Sequence, residues 1–87
     1  MRYVRAREAL WRRVGTGVVV TALGDEGVSE LVGGAAVIWN EFAVPGDVDE
    51  VVDRLATKTG MPAEDLRSQV MSCVEQLTAI RVLKAVG

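Results

Sequence analysis

Histidine is absent from the 87 residues, and cysteine occurs once, as Cys73. Without histidine, the chain lacks the side chain that most often serves as a general base near neutral pH and as a metal ligand. A single cysteine cannot form an internal disulfide, and structural zinc sites are built from several Cys and His ligands. The composition therefore predicts a protein with no catalytic residues, no bound metal and no cofactor.

Long apolar runs are also missing, because no stretch of the sequence reaches the length of a membrane span. The first ten residues, "MRYVRAREAL", are charged and are not followed by the apolar segment of a secretory signal. With 49% hydrophobic and 25% charged residues, the composition is that of a folded protein rather than a disordered one. We therefore expect one domain over residues 1–87, located in the cytoplasm, with no membrane partner.

Charge is distributed unevenly, although the net charge is only −2. Residues 1–13 contain five arginines and one glutamate, whereas an acidic group occupies the middle of the chain: Glu41, Asp47, Asp49, Glu50 and Asp53. This asymmetry has two explanations, a solvated face or a surface that steers a charged partner.

The first third of the chain has the pattern of β-strands. The segment "ALWRRV" (9–14) alternates its side chains, "VVVTAL" (18–23) is rich in β-branched residues, and "VSELV" (28–32) is a third short run. Glycine-containing turns, "GTG" and "GDEG", separate them. The pattern predicts an antiparallel meander of three strands.

The remaining two thirds have helical periodicity. A first helix is predicted over residues 34–43, with Trp39 in its buried pattern, and Pro45 and Gly46 end it. Asp47 and Glu50 resemble a capping box for a second helix that runs to about Thr59. Residues 62–80 form the third, and "RVLKAV" (81–86) either continues it or forms a terminal strand. The predicted fold class is α+β, with a three-stranded antiparallel sheet packed on a three-helix bundle in a winged-helix-like arrangement.

The third predicted helix has a core stripe and a second apolar strip. Cys73 lies in the core stripe, where a buried thiol is expected rather than a nucleophile. The second strip consists of Met71 and Val74 with Arg67 beside them, and it either lines a binding groove or covers the second helix or the sheet. Only Arg67 and Arg81 could reach phosphates from this helix, and the isoelectric point is about 5.0. We therefore expect no nucleic-acid partner.

The last strand of the meander offers a binding edge. In an up-down-up order, residues 28–32 leave one row of backbone N–H and C=O groups unpaired, and an extended peptide can pair with such a row. The glycines that follow allow a sharp turn into the first helix. The sequence therefore predicts a protein-binding module.

From about Leu10 to Leu83 the chain resembles the PqqD-like proteins, also called RiPP recognition elements. The resemblance rests on "ELVGGAAVIWNEF", on "VPGDVDEVVDRLATKTGMPAEDL" and on "VMSCVEQLTAIRVL". It implies a domain that binds the leader segment of a ribosomally made precursor peptide as an added strand, and that presents the precursor to a modification or leader-cleaving enzyme. Carried over by position, the implied peptide-binding residues are Val28, Ser29, Glu30, Leu31 and Val32 with Arg67, Val70, Met71 and Val74.

Three positions depart from the family pattern: Val32, Gln69 and Arg81, where members often carry Asn or Ser, an acidic residue and glycine. With glycine replaced by Arg81, the last helix is expected to run on. Two other functions remain open. A winged-helix module would bind DNA or a regulator, and an assembly module would form a homodimer through the strand edge.

Overall fold

The computed structural model describes residues 1–86, which form six strands and three helices. The elements are β1 (Arg2–Arg5), β2 (Ala9–Val14), β3 (Gly17–Ala22), β4 (Ser29–Leu31), α1 (Gly34–Glu41), β5 (Gly46–Asp47), α2 (Val48–Thr59), α3 (Ala63–Ala79) and β6 (Leu83–Val86). The predicted α+β class and the three predicted helices are confirmed.

Strands β2, β3 and β4 form the predicted antiparallel meander, in that order. Arg12 on β2 pairs with Val19 on β3, and Val19 pairs with Glu30 on β4. Because side chains alternate along a strand, Val18 and Val20 point to the opposite side from Val19. Both are buried in the core, so one face of this sheet covers the helices.

A second antiparallel sheet, with the order β5–β1–β6, corrects the prediction of a single sheet. Strand β1 pairs along its whole length with β6, from Arg2 opposite Val86 to Arg5 opposite Leu83. Of the two options for residues 81–86, the terminal strand is the one that forms. The helix does not run on, because Arg81 adopts a left-handed conformation with φ of 64° and the chain leaves α3 there.

Helix α2 begins with the predicted capping box. The Glu50 amide donates to the Asp47 carboxylate at 2.8 Å, and the Asp47 amide donates to the Glu50 carboxylate at 3.3 Å. The helix ends at Gly60, which is left-handed with φ of 74°. Between these ends, α2 buries Val51, Val52 and Leu55 against the core. Local sequence signals therefore predicted both ends of α2.

Glu41, the last residue of α1, ties α1 to α2. Its carboxylate accepts hydrogen bonds from Arg54 at 2.8 Å and from Lys58 at 2.7 Å. Burial alone would raise the pKa of Glu41, but the hydrogen bonds from Lys58 and Arg54 outweigh it and lower the pKa below the ordinary value. The Glu41 carboxylate is therefore held in its charged form.

Arg5 joins both sheets to α1. Its guanidinium lies 4.6 Å from the ring centroid of Trp11 on β2 and 4.5 Å from that of Trp39 on α1. Arg5 Nη2 also donates to the Trp39 carbonyl at 2.9 Å. Trp39 is fully buried, as predicted, whereas Trp11 remains 40% exposed. Cation–π contacts of this kind gain strength when they are shielded from water.

Candidate functional site

The open edge of β4 is the first component of the site. Within residues 1–86, β4 pairs only with β3, so its other side presents unpaired backbone groups. Gly17, the first residue of β3, lies beside β4 in the sheet, and a Cβ there would come within 2.9 Å of the Leu31 carbonyl oxygen. Glycine at position 17 therefore allows β3 to approach β4 closely enough to hold it in place.

A groove separates the open edge of β4 from α3. Its volume is about 520 Å³, and its lining comes from Ser29, Glu30, Leu31, Ala35, Cys73, Gln76, Leu77, Ala79 and Ile80. Leu31, Cys73 and Leu77 are buried and form an apolar floor. Gln76 and Ser29 add polar groups at the walls. A strand added to β4 would place alternate side chains on this floor.

The groove continues beyond β4 along the cleft between α1 and α3. This extension has a volume of about 400 Å³ and shares Ala35, Cys73 and Gln76 with the first part. It adds Gly34 at the start of α1, where Gly33 precedes the helix with φ of 57°. Since glycine adopts positive φ without strain, the chain turns directly from β4 into α1, and both parts of the groove stay open.

The thiol of Cys73 is the only chemically reactive side chain on the floor of the groove. Burial raises the pKa of the Cys73 thiol, so it stays protonated near neutral pH. A protonated thiol is a poor nucleophile. In the part of the chain that the structure describes, no group of His, Cys, Asp and Glu side chains could hold a metal ion.

The predicted strand residues lie at this edge. Ser29, Glu30 and Leu31 form β4, while Val28 and Val32 flank it and are 71% and 61% exposed. Leu31 is the buried member of the set.

The structure does not bring all of the predicted helix residues to the groove. Arg67 forms an ion pair with Asp49, which lies in the first turn of α2. Val70 and Val74 are buried in the core, and Met71 is 47% exposed. At about 100° per residue, Met71 is about 140° around the helix axis from Gln76, which faces β4.

Sequence reasoning did not assign to the binding site several residues that line the groove and its extension: Ser68, Gln69, Ser72 and Gln76 of α3, and Ile80, which follows the helix. One signal could have revealed them. Between Ser68 and Gln76 the flank formed by Ser68, Gln69, Ser72 and Gln76 carries no charge, although Asp65 lies on the same flank one turn earlier. The adjoining exposed surface carries Glu64, Arg67 and Glu75. An uncharged polar flank on an otherwise charged helix is typical of a surface that contacts another polypeptide.

An ion pair lies near one end of the groove. Asp25, in the loop between β3 and β4, contacts Arg81, which follows α3. A depression lined by Asp25, Ser29 and Ile80 lies beyond this end of the groove. The pair therefore links the two walls of the groove through side chains that remain partly exposed, at 59% for Arg81 and 38% for Asp25.

No helix within residues 1–86 is both long enough and apolar enough to cross a membrane. The cleft between β4 and α3 combines one apolar floor, one open strand edge and one helix flank.

Comparisons with known proteins identify the family. A solved structure described as "TbiB1 in Complex with the TbiA(beta) Leader Peptide" matches with a TM-score of 0.81 and 13% sequence identity, over 97% of this chain and 98% of that one. At this identity the likeness shows the fold alone. No curated protein matches the sequence. The family model of coenzyme PQQ synthesis protein D (PqqD) matches residues 17–83. This chain therefore belongs to the PqqD family.

Proposed function

We propose that this protein is a non-catalytic binding module that captures the leader segment of a ribosomally synthesised precursor peptide and presents it to a maturation enzyme. The observation that carries the proposal is the open edge of β4 beside an apolar-floored groove of about 520 Å³. Membership of the PqqD family supports it. So does the similar fold of a protein whose structure is described as a complex with a leader peptide.

The leader adds to β4 as a further strand. Its main chain pairs with the backbone N–H and C=O groups that β4 (Ser29–Leu31) presents on its open side, and each hydrogen bond contributes about 1 kcal/mol. Val28 and Val32 extend the edge at either end. Every second leader side chain then faces the floor formed by Leu31, Cys73 and Leu77, and the others face solvent. Affinity comes from the main chain and selectivity from the floor.

Two flanks of α3 are candidates for the helical wall of the peptide-binding groove. We propose that the flank with Gln76, Ser72 and Gln69 contacts the leader, because it faces β4 across the groove. The set that the family resemblance implies, Arg67, Val70, Met71 and Val74, is the alternative. The two sets lie on different sides of the helix, so one experiment separates them.

We further propose that the module works in the cytoplasm beside its modification or leader-cleaving enzyme, with no nucleic-acid or membrane partner. Its winged-helix-like character would reside in the β2–β3 hairpin, which takes the position of a wing. An acidic protein with an isoelectric point of about 5.0 would bind duplex DNA poorly.

The test is a titration of the purified protein with the leader half of a precursor peptide encoded next to it, followed by fluorescence anisotropy and amide chemical shifts. We expect saturable binding, with shifts concentrated in residues 29–31 and along the groove-facing side of α3. No saturable binding to such a leader, or shifts away from β4, would contradict the proposal.

A pair of tryptophan variants then distinguishes the flanks. Gln76→Trp fills the groove, and Met71→Trp places the same side chain on the other flank; both positions are exposed. We expect Gln76→Trp to weaken leader binding about tenfold or more, because the peptide side chains lose their space, and Met71→Trp to bind as the wild type does. The reverse result would assign the leader to the Arg67–Met71 flank.

A further inference from the structure

The β2–β3–β4 sheet has an outer face, turned away from the core, that carries several exposed apolar side chains. Alternation along the strands places Val19 on this face, because Val18 and Val20 are buried on the other. The outer face consists of Leu10, Arg12, Val14, Val19, Thr21, Val28, Glu30 and Val32. Of these, Leu10 is 53% exposed, Val14 52%, Val28 71% and Val32 61%. Contiguous exposed apolar side chains mark interaction surfaces more often than isolated ones do.

These side chains fall into three rows across the strands. The middle row is Arg12, Val19 and Glu30, which are paired directly in the sheet. One neighbouring row contains Leu10 and Thr21 and, one residue beyond the end of the β4 ladder, Val28. The other contains Val14 and Gly17, with Val32 beside them. Each row has one exposed residue on the β2 side and one on the β4 side.

The middle row carries opposite charges at its two ends. Within residues 1–86, neither Arg12 nor Glu30 forms an ion pair, and both are exposed. They lie two strands apart, about 10 Å at the usual strand spacing, with Val19 between them. The outer rows carry apolar residues at both ends. A shallow depression of about 220 Å³ lies over Leu10, Arg12, Val19 and Val28.

We propose that the outer face binds the outer face of a second copy of this chain. A two-fold axis parallel to β3, between two sheets about 10 Å apart, places β2 of each copy over β4 of the other. Arg12 of one copy then faces Glu30 of the other, and this contact occurs twice. The same rotation brings Leu10 opposite Val28, Val14 opposite Val32, and the two Val19 side chains together on the axis.

Charge complementarity favours a second copy over an unrelated protein. A two-fold interface must be complementary to itself, and each of the three rows meets that condition under this one rotation. The open edge of β4 points sideways in the sheet, not across the interface. Both leader grooves of the dimer therefore stay accessible. A dimer through the β4 edge, by contrast, would occupy the groove.

The size of the outer face determines how strongly the two copies are expected to bind each other. A standard interface uses about 20–30 residues per partner, far more than this face offers. The dimer is therefore expected to be weak and to form over the micromolar range of protein concentration.

The test is sedimentation equilibrium from low-micromolar to sub-millimolar protein, on the wild type, Arg12→Glu, Glu30→Arg and the double variant. Each single change puts like charges opposite each other twice, so we expect the dimerisation constant to fall about tenfold or more. The double variant exchanges the two charges and should restore the dimerisation constant of the wild type. Glu75→Arg, an exposed change on α3 away from the face, is the control and should dimerise as the wild type does.

Without peptide, three results would overturn the proposal: a wild type that stays monomeric throughout, single variants that dimerise normally, or a double variant in which dimerisation is not restored. Adding saturating leader peptide should leave the dimer intact. Dissociation by the leader would assign the contact to the β4 edge instead. Because dimerisation is measured without peptide, its failure is distinct from a failure of leader binding.

Discussion

Replacing Arg81 by glycine should stabilise the protein, although it removes an ion pair. Arg81 is the one non-glycine residue within residues 1–86 that has a positive φ, at 64°, and it lies where the chain leaves α3 for β6. Left-handed backbone costs a side-chain-bearing residue about 1–2 kcal/mol. Glycine avoids that cost but loses about 0.4–1 kcal/mol through its greater freedom in the unfolded chain. The balance favours glycine by about 1 kcal/mol.

The lost ion pair with Asp25 works in the opposite direction. Both side chains are more than one third exposed, and such pairs contribute about 0–1 kcal/mol, with less at high salt. Comparing Arg81→Gly with Arg81→Ala therefore isolates the cost of the left-handed backbone, since neither variant retains the ion pair and only the alanine variant retains the backbone strain. For a domain of this size, about 1 kcal/mol corresponds to a difference in Tm of about 4–8 °C.

Differential scanning calorimetry at low and high salt measures both contributions. We expect Arg81→Gly to melt about 5 °C above Arg81→Ala at either salt concentration. Asp25→Ala, which removes the ion pair but keeps the strain, should lie close to Arg81→Ala. A glycine variant that melts at or below the alanine variant would refute the reasoning, because the left-handed conformation would then carry no cost at this position.

Three further predictions concern the core and the caps. Asp47→Ala should lower the free energy of unfolding by about 1 kcal/mol in urea titrations, whereas Asp53→Ala, an exposed control on the same helix, should change it little. Glu41→Gln should destabilise the protein at neutral pH. Burial opposes ionisation of Glu41, but the hydrogen bonds from its cationic partners outweigh it and lower the pKa of this carboxyl group. The charged carboxylate therefore stabilises the fold at pH values above the ordinary glutamate pKa, and this stabilisation is lost as the pH falls through the folded-state pKa. Equal losses for Glu41→Gln at about pH 7 and about pH 3 would contradict this. Because burial raises the pKa of Cys73, a thiol reagent should modify this residue far more slowly in the native protein than in urea. The free energy of unfolding should also decline as the pH rises above the ordinary pKa of a thiol, since the unfolded chain then loses its thiol proton more readily than the folded one.

Local signals in the sequence predicted most of the fold. The meander and the three helices fall within about two residues of their predicted limits, because turn glycines, Pro45 and the Asp47 capping box mark the boundaries. The second sheet could not be predicted in this way. Its strands have four, two and four residues, and its long-range pairing joins Arg2 to Val86. Such short strands carry too few residues for a periodic pattern, and nothing local specifies so distant a partner.

The sequence predicts the two components of the candidate site to different extents. The β4 edge follows from its place at the end of the meander, whereas the helical wall depends on how α3 is rotated against the sheet. Apolar periodicity defines one buried stripe, and Val70 and Val74 both belong to it. The pattern does not say which flank beside that stripe faces β4. The flank that carries Ser72 and Gln76 faces it, and Met71 lies on the other side.

The pairing of β1 with β6 bears on how this domain can be joined to other proteins. Arg2 and Val86 are direct partners on neighbouring antiparallel strands, so the two ends of the described chain leave the same sheet side by side. A domain with adjacent ends can be inserted into a surface loop of another protein without being stretched, and it can also be circularly permuted. The β4 groove belongs to the other sheet, so insertion through these two ends would leave the open edge uncut. The architecture is thus as well suited to use as an inserted module of a larger enzyme as to use as a separate protein.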